Sequence, residues 1–397
     1  MTDPLGKLLA ELLTESPART MARTSGAYDE LARPFQNRVV IFGTGQLGRF
    51  VLPAVRAAGL ELLAFCDNNP SRWGSTIDGV AVLSPAEAMR EFGASACFLV
   101  AVYNASSLRR QLAELGCQRI VPYPVFFWKY WEKLPQEERL ELPHRILQQA
   151  SEIPAGYQLL ADDVSRTEFL AQIRWRSLMD YACLPSPQPA QDMYFPPDLL
   201  QLGSEEVLVD CGAFDGDSIK PFVAKVAGQF RRIRAFEPDP SNLRALAACI
   251  AGFPPEVAAR ISVEPYALGS QSGTVRFSAE GAVYSKLSEG SGGVEVELRT
   301  LDELLEGAEC TLIKMDIEGA ETEAIPGAAK TIARCRPVLA VCAYHRCEHL
   351  WRIPQLIRAV APDHRIFLRR YAEECWETVY YAIPPERILG TPLAGVL

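Results

Sequence analysis

Short apolar runs alternate with longer amphipathic segments over most of the chain, which is typical of α/β domains. In the C-terminal half these runs predict five strands that are separated by helical segments, and then a closing antiparallel hairpin. The five strands are predicted at 207–210, 232–237, 261–266, 311–316 and 337–343, and the hairpin at 365–371 and 377–383. This order predicts a seven-stranded, mostly parallel sheet with helices on both faces.

A shorter α/β series lies in the N-terminal half, with strands predicted at 39–42, 60–66, 97–102 and 119–121. A helix over residues 5–13 has one apolar face, and a polar connection is expected to follow it. We therefore divide the chain into four segments. They are an N-terminal helix and connection (1–35), a small Rossmann-like domain (36–125), a helical connector (126–198) and a second, larger α/β domain (199–397).

Composition and charge narrow the classes of partner. The chain has 397 residues and a net charge of −9, without a basic stripe, which argues against nucleic acid. We find neither a signal peptide nor an apolar run of about 18–20 residues, so we expect no membrane segment. The eleven cysteines are scattered and form no C-x-x-C pair, which predicts reduced thiols in a cytoplasmic protein.

A glycine turn follows the first strand of the larger domain. Asp210 ends an apolar run, and Gly212 and Gly216 come next, which lets the backbone approach a ligand closely. Glu237 ends the next strand, where an acid can accept hydrogen bonds from ribose hydroxyls. The pattern predicts a nucleoside site, but the spacing lacks the G-x-G-x-x-G of nicotinamide sites. The alternative is a structural turn with Glu237 as a surface acid.

A second group of acids follows a later apolar strand. Asp316, Glu318 and Glu321 fall within a short segment that also contains Gly319. Such acids can orient the amino group of a cofactor, hold a substrate hydroxyl or ligate a metal. The alternative is a solvated loop that caps the helix starting near Ala320.

Six segments in this order carry a family resemblance. They are Tyr194-Phe-Pro-Pro-Asp198, Val209-Asp-Cys-Gly-Ala-Phe-Asp-Gly-Asp217, Phe236-Glu-Pro238, Thr300-Leu-Asp-Glu-Leu304, Lys314-Met-Asp-Ile-Glu-Gly-Ala-Glu321 and Ala343-Tyr-His345. Together they resemble the FkbM family of S-adenosylmethionine-dependent methyltransferases, over about residues 194–385. The resemblance implies a class I methyltransferase fold, S-adenosylmethionine as cofactor and S-adenosylhomocysteine as product. It also implies methyl transfer, most often to a hydroxyl oxygen of a sugar, polyketide or other small metabolite.

The resemblance also implies which residues hold the cofactor. Asp210, Gly212 and Gly216 would shape the turn around its methionine part, and Glu237 would hold the ribose. Residues after the third strand would lie beside the adenine, and Asp316 would lie near the sulfonium. The remaining implied cofactor contacts are Ala213, Phe214, Ser218, Pro238, Ala267 and Leu268.

Two residues are candidates for a catalytic base. His345 is the first, because an imidazole titrates near neutral pH, and Asp316 is the second. The alternative for His345 is a strand-end histidine that bonds to the backbone. His345, Cys347, Glu348 and His349 form H-x-C-E-H, which fits no standard zinc pattern, and Glu348-His349-Leu-Trp351 departs from the acid that the family tends to have before Leu-Trp. We therefore predict no metal.

The N-terminal domain has its own glycine turn, Gly43-x-Gly45-x-x-Gly48, with Asp67 placed as in a dinucleotide fingerprint. The domain ends after about four strands, and no Tyr-x-x-x-Lys pair follows. Residues 37–125 resemble small Rossmann-like modules of some sugar acetyltransferases, in which this turn holds a nucleotide sugar. The alternative is a structural turn without a ligand.

The leading functional prediction is O-methylation of a small-molecule or saccharide-like acceptor. One alternative is an NAD-dependent oxidoreductase that uses the N-terminal turn, and another is a non-catalytic nucleotide- or sugar-nucleotide-binding protein. A homodimer contact is predicted through the amphipathic N-terminal helix and the aromatic segment 126–131.

Overall fold

A computed structural model describes residues 3–134, 140–278 and 293–389. The chain divides into two compact units. The first comprises Met1–Ala150, Leu170–Ser186 and Ala372–Trp376, and the second comprises Ser151–Phe169, Pro187–Tyr371 and Glu377–Leu397. The predicted segment bounds at 35, 125 and 198 stay a prediction.

The first unit contains a six-stranded sheet in the order β3-β4-β2-β1-β5-β6. Its strands are β1 (Arg38–Phe42), β2 (Glu61–Cys66), β3 (Thr76–Ile77), β4 (Val80–Leu83), β5 (Cys97–Val100) and β6 (Ile120–Pro122). All pairs are parallel except β3 with β4. The sequence analysis did not predict this hairpin. Asp78 and Gly79 form its two-residue turn, both with positive φ, which is the Asp-Gly signal of a tight hairpin.

The helices around this sheet are α1 (Pro4–Leu12), α2 (Pro17–Ala32), α3 (Gln46–Ala57), α4 (Pro85–Phe92), α5 (Ser106–Glu114), α6 (Tyr123–Tyr130) and α7 (Pro143–Gln148). The prediction of a polar connection after α1 was wrong, because α2 occupies most of it. Ser16 caps α2, and the buried residues Thr20, Thr24, Tyr28 and Ala32 recur every four positions. Two of them are threonines, so a count of apolar residues misses this buried face.

Phe126, Phe127 and Trp128 of the aromatic segment 126–131 are buried in the first unit, whereas Trp131 is exposed. Phe126 is fully buried in α6, and its ring lies 6.0 Å from that of Tyr28. Tyr130 packs edge-on against Tyr28 at 5.3 Å. These rings therefore stabilise the packing of α2 on α6. The homodimer stays a prediction.

The second unit confirms the predicted α/β fold with a seven-stranded sheet. The strands of the whole second unit, in both of its sheets, are β7 (Val207–Cys211), β8 (Arg232–Phe236), β9 (Ile261–Glu264), β10 (Tyr266–Leu268), β11 (Gly273–Ser278), β12 (Gly293–Arg299), β13 (Leu312–Met315), β14 (Val338–Cys342), β15 (Arg365–Arg370) and β16 (Thr378–Ile383). The large sheet has the order β15-β16-β14-β13-β7-β8-β9, and β16 is antiparallel to both neighbours. The strands β10-β12-β11 form a separate small sheet.

The helices of this unit are α8 (Ile153–Gln158), α9 (Asp163–Leu178), α10 (Ile219–Lys225), α11 (Pro240–Ala251), α12 (Pro255–Ala258), α13 (Leu301–Leu305), α14 (Glu321–Gly327), α15 (Ala329–Cys335) and α16 (His349–Val360). Helix α9 begins in the second unit and ends in the first. The order of the large sheet reverses between β7 and β13. Ligands of open α/β sheets bind beyond the carboxyl ends of strands at such a point.

Two expectations from the sequence concern membrane-spanning helices and the state of the cysteines. Among the described residues, no helix combines the length and the hydropathy needed to cross a bilayer. All eleven cysteines lie in the described residues and are free thiols. The cytoplasmic location stays a prediction.

Candidate active site

A cavity of about 930 Å³ opens at the carboxyl edge of the large sheet in the second unit. This volume lies in the usual range of small-molecule sites, about 300–1,000 Å³. Several residues predicted as cofactor contacts line it: Gly212, Phe214, Glu237, Pro238, Ala267, Leu268 and Asp316. Asp210, Ala213, Gly216 and Ser218 do not line it and are packed behind the turn, with Asp210 and Ala213 fully buried.

The glycines of the turn after β7 are explained by contacts within the protein. Gly212 has φ +80°, and a Cβ there would lie 1.9 Å from the backbone oxygen of Asp316. Gly216 has φ +90°, and its Cβ would lie 2.6 Å from Cys249 Sγ. Gly212 therefore allows the ends of β7 and β13 to meet at the cavity wall.

Asp210 is held by a buried ion pair. Its Oδ1 lies 3.0 Å from Lys314 Nζ, and its Oδ2 accepts a hydrogen bond from Ser218 Oγ. Lys314 Nζ also donates to the oxygen of Gly212 at 2.5 Å. Burial by itself lowers the pKa of Lys314, but the carboxylates of Asp210, Asp316 and Asp217 offset this and raise it above its usual value. Asp210 therefore fixes the turn from behind.

Glu237 follows β8 and faces the cavity as a fixed carboxylate. Its Oε2 accepts a hydrogen bond from Phe214 N at 2.9 Å, and its Oε1 accepts from Asp239 N at 2.9 Å and Asn242 Nδ2 at 3.3 Å. Burial raises the pKa of Glu237, although these hydrogen bonds oppose the shift. Oε2 accepts only one of these three hydrogen bonds and has a second lone pair, so Glu237 can still accept a hydrogen bond from a ligand.

Phe214, Ala267 and Leu268 form an apolar part of the same cavity wall. Phe214 has φ +46°, and its side chain is half exposed in the cavity wall. Ala267 and Leu268 end β10 and are almost fully buried, so the cavity is apolar on that side. A flat aromatic base suits such a surface.

Asp316 follows β13 and is the centre of a polar cluster. Its Oδ2 accepts a hydrogen bond from Tyr194 Oη at 2.6 Å, and its Oδ1 accepts one from Tyr344 Oη at 3.4 Å. Burial, ahead of the nearby Asp316 charge, raises the pKa of Tyr194 well above its usual value, so that hydroxyl keeps its proton. His345 Nε2 lies 3.3 Å from Asp316 Oδ1.

Behind Asp316, His345 is bound to a buried carboxylate. His345 Nδ1 lies 2.9 Å from Glu321 Oε1, and both side chains are almost inaccessible. Burial by itself lowers the pKa of His345, but Glu321, and then Asp316 and Glu318, raise it to about 9. Burial opposes the ionisation of Glu321, but His345 and His349 lower the pKa of that carboxyl to about 2. His345 does not line the cavity, whereas Asp316 and Glu318 do.

Comparison with known proteins relates part of this chain to a known domain. Residues 210–372 match the model of the methyltransferase FkbM domain. The chain contains an FkbM methyltransferase domain. It is therefore a methyltransferase, which favours methyl transfer over the oxidoreductase and non-catalytic alternatives. No curated protein sequence matches the chain.

Solved structures resemble the chain to different extents. Methyltransferase FkbM from Methylobacillus flagellatus KT is 23% identical with a TM-score of 0.74, over 95% of this chain and 98% of that chain, which shows a shared fold. UDP-D-quinovosamine 4-dehydrogenase from Vibrio fischeri is 19% identical with a TM-score of 0.19, over 22% of this chain and 76% of that chain. Precorrin-6y C5,15-methyltransferase from Geobacter metallireducens GS-15 is 16% identical with a TM-score of 0.28, over 46% of this chain and 81% of that chain.

Sequence reasoning assigned no role to Tyr194, Lys314 or Tyr344, and it did not place Glu321 behind His345. Lys314 and Glu321 lie in the quoted motif, but burial of their charges is visible only in the fold. Tyr194 lies in the first quoted segment and has φ +68°, and Tyr344 stands beside His345. Their position in the shared motifs was the available signal.

The N-terminal glycine turn lies in the first unit, outside the FkbM domain. Asp67 Oδ2 accepts hydrogen bonds from Thr44 N and Thr44 Oγ1, so this carboxylate is engaged within the turn. Gly43 has φ +112°, and a Cβ on Gly48 would lie 2.0 Å from the oxygen of Gly43. Of the three glycines in this turn, only Gly45 has open space where a Cβ would lie. The nucleotide-sugar ligand and the resemblance to sugar acetyltransferase modules stay predictions.

Proposed function

We propose that the FkbM domain transfers the methyl group of S-adenosylmethionine to a hydroxyl oxygen of a small, saccharide-like acceptor. The observation that carries the proposal is that Glu237 and Asp316 line one cavity, at the ends of β8 and β13. One carboxylate is suited to a ribose and the other to a reacting hydroxyl.

The lining of the cavity fits this cofactor. S-adenosylmethionine supplies a methyl group on a positively charged sulfur, and that charge is lost when the methyl group is transferred. More acids than arginines line the cavity, and its arginines are Arg276 and Arg346. The cavity therefore favours a positively charged ligand. These acids are Asp217, Glu237, Asp239, Asp316, Glu318, Glu323 and Glu377.

Each predicted contact has a specific role in the proposal. Glu237 would accept hydrogen bonds from the ribose hydroxyls, and Ala267 and Leu268 would pack against the adenine. Gly212 and Phe214 would border the methionine part. Asp210, Ala213, Gly216, Ser218 and Pro238 would act by holding the turn and the strand ends in place.

The geometry favours Asp316 ahead of His345 as the group that accepts the hydroxyl proton. Asp316 lines the cavity, and His345 does not. His345 lies behind Asp316, where its Nδ1 is held by Glu321 and its Nε2 faces Asp316 and Glu318 without a hydrogen bond. In-line placement of the acceptor oxygen would supply most of the rate enhancement.

Calorimetric titration with S-adenosylhomocysteine tests the cofactor site. We expect about one bound molecule per chain, and at least about a tenfold loss of affinity in Glu237→Ala, which is the 1.4 kcal/mol of one charge-assisted hydrogen bond. Glu323→Ala is the matched control, because it removes another acid of the same cavity. No binding by the wild type would contradict the proposal.

The acceptor atom is tested with ¹³C-methyl-labelled S-adenosylmethionine and a pool of hydroxylated metabolites. The ¹³C chemical shift distinguishes a methyl ether from a methylated nitrogen or carbon. A methyl ether in the wild-type reaction that is strongly reduced with Asp316→Asn supports the proposal. An N-methyl or C-methyl product would contradict oxygen as the acceptor.

A further inference from the structure

The side chain of His345 is oriented by a carboxylate behind it. Its Nδ1 lies 2.9 Å from Glu321 Oε1, and the backbone NH groups of Ile317 and Gly319 donate to the two oxygens of Glu321. Glu321 is therefore fixed, and it fixes the imidazole ring. Carboxylates orient metal-binding histidines in this way in many proteins.

The other ring nitrogen of His345 points into the acidic cluster without a hydrogen-bond partner. Nε2 is buried, because only 2% of the side chain is exposed. A buried polar atom that makes no hydrogen bond costs about 1–3 kcal/mol. This atom therefore indicates a ligand that would pair with it.

Two carboxylate oxygens lie at a suitable separation from this nitrogen. Asp316 Oδ1 is 3.3 Å and Glu318 Oε2 is 3.4 Å from His345 Nε2. Neighbouring ligand atoms at about 2.1 Å from a cation lie roughly 3.0–3.4 Å apart in octahedral or tetrahedral geometry. A cation on the nitrogen can therefore reach either oxygen, and contact with both requires the partly exposed Glu318 side chain to rotate toward Asp316.

We propose that Asp316, Glu318 and His345 bind one divalent cation at the cavity wall. Two carboxylates and one imidazole suit an ion such as Mn²⁺. The sequence analysis predicted no metal because H-x-C-E-H fits no known pattern. The proposed site uses only His345 from that segment, and its two carboxylates follow β13.

The role of the cation rests on the proposed function. Asp316 and Glu318 line the cavity, so a cation between them is accessible to an acceptor molecule. It would bind the acceptor hydroxyl and make it more acidic, as divalent cations do for bound oxygen ligands. Asp316 Oδ2, on the side of Tyr194, is left to receive the proton.

Mn²⁺ binding to the full chain tests the site without cofactor or acceptor. After dialysis against a chelator, we titrate the protein with Mn²⁺ and follow the free ion by electron paramagnetic resonance. We expect about one ion per chain and at least about a tenfold loss of affinity in Asp316→Asn and Glu318→Gln. Glu323→Gln, which removes a different acid from the same cavity, is expected to bind as the wild type does.

Pulsed electron paramagnetic resonance identifies the nitrogen ligand. We expect ¹⁴N coupling from one imidazole in the wild-type Mn²⁺ complex and its loss in His345→Ala. Near-ultraviolet circular dichroism and S-adenosylhomocysteine affinity show whether Glu318→Gln is folded. Absence of stoichiometric binding, absence of ¹⁴N coupling, or unchanged affinity in folded Glu318→Gln would overturn the proposal. The Mn²⁺ titration contains no cofactor, so it tests the cation site by itself. Failure to bind S-adenosylhomocysteine in the separate titration would instead refute the proposed function.

Discussion

At the scale of single residues, close contact between backbones helps to shape the candidate site. Gly212 lies where β7 and β13 end side by side, and its missing Cβ is the space that Asp316 occupies. A glycine that was predicted to serve a ligand thus also serves the packing of two strand ends. Both roles place Asp316 at the cavity wall.

Gly212→Ala is expected to destabilise the protein by about 3 kcal/mol or more, since it combines a positive φ with overlap against backbone. The free energy of unfolding in urea measures this loss. Gly203→Ala is the control, because its Cβ meets nothing within 4 Å. Equal stability of the two variants would contradict the contact.

At the scale of elements, helix α9 and strand β15 are linked by a charged pair within the second unit. Asp162 Oδ1 accepts a hydrogen bond from Ser165 N at 2.8 Å in the first turn of α9. Arg369 Nη2 on β15 donates to Asp162 Oδ2 at 2.8 Å. Burial opposes ionisation, but Arg369 and Ser165 lower the pKa of Asp162.

A lowered folded-state pKa makes this pair stabilising above the unfolded pKa of about 3.9. The stabilisation is lost as pH falls through the lower folded value. Asp162→Asn is therefore expected to cost about 2 kcal/mol near neutral pH, and the difference from wild type shrinks below about pH 4. Urea unfolding of both proteins at pH values between about 3 and 7 measures this difference in stability.

The neighbouring exposed acid provides the control for this pair. Asp163 pairs with Arg166, but 88% of its side chain is exposed, so Asp163→Asn is expected to leave stability nearly unchanged. A pH-independent difference between Asp162→Asn and wild type would show that the ion pair contributes nothing.

At the scale of the whole molecule, the first unit is completed by a segment from near the end of the chain. Glu374 accepts hydrogen bonds from Ala105 N at 3.2 Å and Ser106 Oγ at 3.1 Å, and it also pairs with Arg109. Trp376 Nε1 donates to Tyr103 O at 2.5 Å. A linear division of the chain therefore separates residues that belong to one unit.

Glu374→Ala is expected to destabilise the protein by about 2–3 kcal/mol, because Arg109 loses its carboxylate partner. Affinity for S-adenosylhomocysteine should stay within about twofold, less than 0.5 kcal/mol, since every cavity residue belongs to the second unit. Glu373→Ala, at the exposed neighbour, is the control. If Glu374→Ala also lost affinity for S-adenosylhomocysteine, the cavity would depend on the contact between Glu374 and Arg109, contrary to this prediction.

Local patterns in the sequence were enough to predict the larger sheet and the acids at its strand ends. Apolar runs and turns are local signals, so the strands before Asp210, Glu237 and Asp316 could be predicted within a few residues. The same locality explains the errors, because α2 buries threonines and the β3–β4 hairpin is short. The motif order also indicated the family of the domain.

The differences between those acids arise from long-range packing. The register of β13 on β7 pairs Lys314 with Asp210, which turns one acid into a buried support. The meeting of the segments after β13 and β14 sets Glu321 behind His345 and leaves Asp316 at the cavity. These relations join residues far apart in the chain, and their burial and charge pairing depend on packing that no local pattern encodes.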